Sequence, residues 1–416
     1  MQKFQAYLKL MEMTLIPENL IDRPVYIDKI KPFIDQPLIK ALVGQRRVGK
    51  SYILFSIMKF VMESRPDANI IYINFEDFKY SDIASADALH AYISERLHNG
   101  GRNYIFIDEI QEVPGFEKVI RSFLLDTSND IYITGSNSSL LSGELASHLS
   151  GRHIEIKVYS LSYGEFRYFR QLPDNDETLR LYARYGGLPY LTNLALDDAT
   201  AGEYLKSVFT TIVYRDVVAR YGLRNSDFLE RLTQFLSENI GNLFSAKKIS
   251  DFLKSQRVNI SPGQVQNYVS YLANAFIVHR ATRYDIAGKR IFEFGEKFYF
   301  ENLGLRNIII GYRPGDRAKI LENLVYNQLL YLGYDVKVGT IGDSEIDFVA
   351  SRDNEKVYIQ VALEINDPAT MEREYGNLLK IDDNFPKMVV TRDGFDGNTY
   401  EGIKTLSIRE FLTNEQ

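Results

Sequence analysis

Eight consecutive residues, Gly44-Gln45-Arg46-Arg47-Val48-Gly49-Lys50-Ser51, fit the spacing G-x-x-x-x-G-K-[ST] in full. Each part of that pattern has a physical reason. Gly44 and Gly49 let the backbone fold around phosphate groups with no Cβ in the way, and the amides of Gln45, Arg46, Arg47 and Val48 can then point inward as an anion nest. Lys50 reaches the β- and γ-phosphates, and the Ser51 hydroxyl is a ligand for Mg²⁺. A helix opening at Ser51-Tyr52 would aim its N-terminal dipole at the same anion. The bland alternative is a glycine-rich turn carrying a lysine by chance. The expectation is a nucleoside triphosphate site, with ATP and Mg²⁺ bound along Gly44 to Tyr52.

The flanking elements suit that chemistry. An apolar, strand-like run (39–43) precedes the loop and a helix-like run (51–61) follows it. The chain then alternates strand-like and helix-like stretches, the pattern of a parallel sheet covered on both faces. Further strands are expected at 69–75, 104–109, 131–134 and 154–158, with a helix at 85–97. The third strand ends in Asp108-Glu109. In such sheets ligands lie beyond the carboxyl ends of the strands. There Asp108 can hold the metal across from Ser51, and Glu109 can polarise the attacking water. Taken alone, the pair would read as a solvated acidic strand end.

These residues resemble the Walker A and Walker B motifs of AAA+ and STAND-type ATPases. More narrowly, the chain is similar to prokaryotic proteins that join an AAA_14-type ATPase domain to a C-terminal DUF4143 region. The likeness rests on Gly44 to Ser51, Tyr104 to Glu112, Thr134-Gly135-Ser136-Asn137-Ser138, Leu149-Ser150-Gly151-Arg152 and Gly186-Gly187-Leu188-Pro189. It implies that Ser136 and Asn137 feel the γ-phosphate as a polar sensor, with Ser138 and Ser139 as the alternative helix caps. Arg152 is implied as an arginine finger, in a neighbouring subunit or in cis, against a surface ion pair as the plain reading. A trans finger would make the protein a homo-oligomer. Pro189 of Gly187-Leu188-Pro189 and Arg23 of Ile21-Asp22-Arg23-Pro24 are implied to border the nucleotide.

At 416 residues the chain exceeds one ordinary core. Its 45% hydrophobic and 25% charged residues are those of an ordinary globular protein, and no apolar run approaches the ~18 residues of a membrane span. The opening Met1-Gln2-Lys3-Phe4-Gln5 does not read as a signal peptide. A cytoplasmic protein without a membrane partner is the expectation. There is no cysteine, which excludes disulfides and thiolate metal sites, and the five histidines include no pair at metal-ligand spacing. The net charge of −6 argues against a chain-wide grip on nucleic acid.

The expected domains are 1–160, a P-loop ATPase core; 161–225, a helical lid; 226–315, winged-helix-like; and 316–416, an α/β unit. In the third, helices are expected at 228–239, 245–254 and 261–276, with 277–281 and 290–294 as a two-stranded wing. Ser261, Pro262 and Gln264 form a helix-start signal. Helix–turn–helix–wing is a DNA-reading arrangement. Lys247, Lys248, Lys254 and Arg257 supply charge, whereas the expected recognition helix offers only the neutral Gln264, Gln266, Asn267, Tyr268 and Ser270.

In the last domain Glu322, Asp347 and Gln360 look like the landmarks of a PD-(D/E)XK nuclease frame. Its lysine position is Ala362, with Lys356 and Lys380 the nearest lysines in sequence. The frame is therefore expected to be inactive, and partly buried structural carboxylates are the plain reading. Three functions follow. The first is an ATPase coupling nucleotide state to double-stranded DNA or a protein partner. The others are an NTP-dependent nuclease and a nucleotide-gated scaffold that never engages DNA.

Overall fold

The computed structural model describes residues 16–138, 151–288, 295–365, 367–393 and 399–414. Two compact units divide the chain, Met1–Val158 and Tyr159–Gln416.

The first unit is built on five parallel strands: β1 (Ile39–Val43), β2 (Asn69–Asn74), β3 (Asn103–Asp108), β4 (Asn129–Gly135) and β5 (His153–Lys157). Their order across the sheet is β2-β3-β4-β1-β5. The three central strands are buried at every position, while the edge strands β2 and β5 alternate. That is why the central strands are nearly unbroken apolar runs: helices cover both faces. One of these helices, Phe116–Leu124, was not foreseen in the sequence.

The polar residues in this sheet are paired off at its strand entrances. Asn69, Asn103 and Asn129 open three neighbouring strands in register and form a ladder, Asn69 to Asn103 at 2.8 Å and Asn103 to Asn129 at 3.1 Å. Lys40, within β1 and wholly buried, is ion-paired with the equally buried Asp130 and donates to the Gln36 carbonyl at 2.9 Å. Asp130 also accepts from the Tyr132 hydroxyl and the Asp35 amide, each at 2.8 Å. Burial holds the Lys40 ammonium below its usual pKa even though Asp130 pulls it upward.

The second unit opens with helices Tyr163–Arg170, Asp176–Tyr185 and Thr200–Thr211, the last continued by a π-helical stretch, Ile212–Ala219. Helices Ser226–Glu238, Ala246–Ser255 and Pro262–Asn274 follow, with the short β6 (Leu243–Phe244) between the first two. Ser261 and Gln264 make the expected capping box. A hairpin of β7 (Val278–Asp285) and β8 (Glu296–Phe300) comes next. The wing strand expected at 290–294 lies outside the described residues.

After helices Leu303–Ile310 and Arg317–Tyr331 come β9 (Asp335–Ile341), β10 (Ser344–Arg352), β11 (Glu355–Ala362), helix Pro368–Leu379, β12 (Lys387–Thr391), β13 (Thr399–Tyr400), β14 (Ile403–Ser407) and helix Ile408–Thr413.

The boundary expected at 315/316 does not separate two bodies. β7 outlasts its hairpin pairing, and its last three residues, Arg283 to Asp285, pair in parallel with β9. One nine-stranded sheet results, ordered β13-β14-β12-β11-β10-β9-β7-β8-β6.

Removing one member of a fully buried ion pair leaves an uncompensated charge, which costs about 3–5 kcal/mol. Lys40→Ala is therefore expected to destabilise the first unit by that amount in urea unfolding. A loss below about 1 kcal/mol, the scale of an exposed pair, would show that the pair is not the anchor of these strand entrances.

Candidate nucleotide-binding site

β1 ends at Val43 and the chain turns at once. A Cβ on Gly44 would lie 2.1 Å from the Val158 carbonyl oxygen, so no other residue fits there. Arg47 (φ +70°) and Gly49 (φ +95°) are left-handed, the alternation that turns successive amides toward one point. Gly49 caps helix Lys50–Ser64, whose N-terminal partial positive charge faces the loop.

Lys50 is only 4% exposed. Its ammonium donates to the carbonyls of Gly44 (3.0 Å) and Gln45 (3.1 Å) and lies 3.6 Å from Glu109 Oε1. Asp108, the last residue of β3, accepts hydrogen bonds from the Ser51 and Thr134 hydroxyls. Burial raises its pKa in spite of both.

Glu109 follows in a left-handed conformation (φ +54°), a strain of about 1–3 kcal/mol for a residue other than glycine. Its amide donates to Thr134 Oγ1 at 2.9 Å, and the Gln111 side-chain amide donates to its carboxylate. Gln111 also reaches Ser136 Oγ at 3.5 Å. Burial pushes the Glu109 pKa up, but the charges of Lys50 and Arg46 and the bonds from Gln111 and Ser136 outweigh it. The group titrates below its ordinary 4.5.

Ser51 and Asp108, hydrogen-bonded beside the nest, are the hard oxygen donors that Mg²⁺ takes. Among the described residues no group of three or more His, Asp or Glu is arranged to hold a metal alone. The donor set thus fits an ion that shares its shell with phosphate oxygens and water, which is how Mg²⁺ is usually bound.

The structure brings Lys50, Ser51, Asp108, Glu109, Ser136, Gln45 and Arg46 to one end of the sheet. Arg46 is buried and ion-paired with Glu76 at 2.7 Å, while Arg47 and Tyr52 are exposed. Val48 is buried, and its carbonyl accepts from Arg23 Nη1 at 3.1 Å. Arg23 itself is buried and stacks on Tyr26 at 4.6 Å, so it braces the loop from behind.

Arg152 stands elsewhere. Its carbonyl accepts from the Ile39 amide, at the entrance of β1. Five residues of strand, about 16 Å at ~3.3 Å each, separate that end from Gly44. The cis arginine-finger reading is therefore corrected: Arg152 is exposed at the opposite end of its own sheet. Pro189 belongs to the second unit, where it opens a short 3₁₀ helix. Ser139 and the adjoining Leu149-Ser150 lie outside the described residues. Thr134 and Gln111 fall within motifs quoted from the sequence but carry no role there, and Glu76 falls in none. Thr134 lies in the conspicuous Ile131-Tyr132-Ile133-Thr134 run, and its register beside β3 is what gives it two partners.

A second cluster of charge lies in the second unit. Glu322, on helix Arg317–Tyr331, accepts from the Tyr299 hydroxyl at 2.6 Å, and Asp347 Oδ2 accepts from the Val361 amide at 2.8 Å. Gln360 Oε1 accepts from the Asp347 amide at 3.1 Å. Ala362 is buried on β11. Neither lysine named as a replacement reaches the cluster: Lys356 lies over the Phe385 ring at 4.7 Å, and Lys380 donates to Ser344 and Asn377. The lysine present is Lys297, from β8, 3.2 Å from Glu322.

Residues 36–167 match the family model described as an AAA domain, and residues 176–316 match a domain of unknown function, DUF8612. DUF8612, rather than the C-terminal DUF4143 region expected from the sequence, is the second match. An uncharacterised protein of Haemophilus influenzae is 35% identical over 399 residues, 94% of this chain and 98% of that one. The chain belongs to that protein's family. A second uncharacterised relative, from Methanocaldococcus jannaschii, is 31% identical over 81% of this chain and 77% of its own. Among solved structures, Aeropyrum pernix Orc1 in complex with DNA covers 71% of this chain and 93% of its own at 14% identity and a TM-score of 0.33. No helix among the described residues is long and apolar enough to cross a membrane.

Asp108 carries a charge that burial disfavours. Its folded-state pKa is raised, so ionisation at neutral pH works against folding, and the penalty disappears as pH falls below its ordinary 3.8. Asp108→Asn is expected to raise the nucleotide-free melting temperature at pH 7 by roughly 2–4 °C for each kcal/mol relieved, with the gain fading in acid. An unchanged or lower melting temperature at pH 7 would show that Asp108 sits comfortably as an anion.

Proposed function

We propose that this protein is a magnesium-dependent ATPase that couples its nucleotide state to a DNA or protein partner through the second unit. The observation that carries the reading is the joint placement of Lys50, Ser51, Asp108 and Glu109 beyond the carboxyl ends of β1 and β3, where sheets of this kind bind ligands.

Lys50 exchanges its two carbonyl contacts for phosphate oxygens. Ser51 and Asp108 would hold Mg²⁺, which would supply charge neutralisation to the phosphates. Glu109 stays ionised at neutral pH and orients the attacking water. Gln111 and Ser136 fix the direction of that carboxylate, and Arg46 adds positive charge beside it. Arg152 acts on a neighbouring copy, which makes a homo-oligomer part of the proposal.

Lys50→Ala is expected to abolish ATP turnover and weaken nucleotide binding. Glu109→Gln is expected to keep binding while turnover falls by about 10²–10⁴, the usual worth of a general base. A coupled-enzyme assay with calorimetry checks both; normal turnover by Lys50→Ala sinks the assignment.

For the partner, the order of helices Ser226–Glu238, Ala246–Ser255 and Pro262–Asn274 with the β7–β8 hairpin supports a winged-helix reading. Lys247, Lys248, Lys254 and Arg257 are exposed around its second helix and following turn. The third helix has little to read bases with. Gln264 is spent on its cap, Gln266 donates to Glu296 at 3.0 Å, and Tyr268 packs on Phe228. That supports contact with the phosphate backbone rather than sequence reading.

Duplex affinity should then fall with salt, with a log–log slope of about −3.6 for four neutralised phosphates. It should be lost when all four basic residues become glutamate. Anisotropy titrations checking this point to a protein partner instead if the wild type shows no such slope.

A further inference from the structure

Asp108 and Glu109 are consecutive, the last residue of β3 and the first beyond it. Along a strand, successive side chains point to opposite faces. Two adjacent carboxylates that serve one cleft therefore need a break in the extended backbone between them. The break is the left-handed conformation of Glu109 (φ +54°). A residue other than glycine keeps such a conformation only where its surroundings hold it.

One side chain of the neighbouring strand bonds to both acids. Thr134 is wholly buried on β4, one position past the Ile107–Ile133 pair of the β3–β4 ladder. Its Oγ1 accepts from the Glu109 amide at 2.9 Å, and the same hydroxyl donates to Asp108 Oδ1. The directions are fixed by chemistry. An amide can only donate, so the hydroxyl accepts there, and its single proton is left for the carboxylate. Gln111 and Ser136 act on the Glu109 carboxylate at the far end of that side chain. Thr134 acts on the backbone from which the side chain springs. Valine has the shape of threonine but neither bond, whereas serine keeps both, so the hydroxyl and the methyl can be tested apart.

We propose that Thr134 is a positioning residue for ATP hydrolysis: its hydroxyl holds the Glu109 backbone in the left-handed turn that brings the second carboxylate into the cleft beside the first. Without that tie, the Glu109 amide is a buried donor with no acceptor, and the backbone relaxes toward the extended form that carries its carboxylate away from the water it orients. Binding is untouched, because the phosphate loop and Lys50 hold the nucleotide. The inference rests on the ATPase reading and adds to it the group that aims Glu109.

The test compares full-length wild type, Lys50→Ala, Thr134→Val and Thr134→Ser by ATP turnover, ATP calorimetry and amide hydrogen exchange of the nucleotide-free protein. Thr134→Val should bind ATP within about twofold of wild type while turnover falls about 10²-fold, the cost of a misplaced catalytic group. Its 104–113 segment should exchange faster, because the Glu109 amide has lost its acceptor. Thr134→Ser should restore both turnover and protection. Wild-type turnover in Thr134→Val overturns the proposal, and so does a loss that Thr134→Ser shares, which would assign the effect to the methyl group. If Thr134→Val does not fold, Thr134→Ala is judged by the same measurements. Normal turnover by Lys50→Ala sinks the ATPase reading and this inference with it; an inactive Lys50→Ala beside a fully active Thr134→Val sinks this inference alone.

Discussion

Charge held out of water next to apolar strands is the constraint on which both units depend. At the nucleotide end of the first sheet, one ammonium and two adjacent carboxylates are nearly inaccessible. Each is tied to something fixed: Lys50 to two loop carbonyls, Asp108 to Ser51 and Thr134, Glu109 to Gln111. Those ties preorganise the site, and preorganised charge in a dry pocket is worth far more to catalysis than the same charge in water. They also explain the left-handed backbone at Glu109. The strain is the consequence of turning a second carboxylate out of β3 toward the same place as the first.

Three buried lysines differ in what surrounds them. Lys40 is paired with Asp130, with Asp35 adding to that pull and Arg102 opposing it, and burial wins, so its ammonium titrates below the usual range. Lys297 faces three carboxylates, and their charges overcome burial, so its ammonium is held above that range. Lys50 is arranged differently again, resting mainly on backbone oxygens. Carbonyls hold a cation without neutralising it, which leaves its charge for an anionic ligand. Lys40 and Lys297 are satisfied by fixed acids, while Lys50 rests on two loop carbonyls with the Glu109 carboxylate 3.6 Å away.

The second unit changes the meaning of a local feature. A hairpin of the size expected for a wing continues past its partner and joins the C-terminal sheet through Arg283 to Asp285. The supposed boundary between two domains is therefore a shared strand edge. That continuity is also what carries Lys297, on the neighbouring strand, to acids that begin 25 residues later in the chain.

The amino-acid order alone determined the phosphate loop, the acidic strand end and the alternation of the first unit. Each is a local pattern: a glycine spacing, an apolar run with two acids at its tip, a periodicity that switches between strand and helix. The capping box at Ser261 was equally local. Tertiary structure decided everything that depends on which strand lies beside which. It set Thr134 and Gln111 against Asp108 and Glu109, put Arg152 at the far end of its own sheet, turned Arg23 into a brace for Val48, and brought Lys297 rather than Lys356 or Lys380 to the second acidic cluster. Spacing along a chain limits what neighbouring side chains can do; it does not say which distant strand will supply the missing charge.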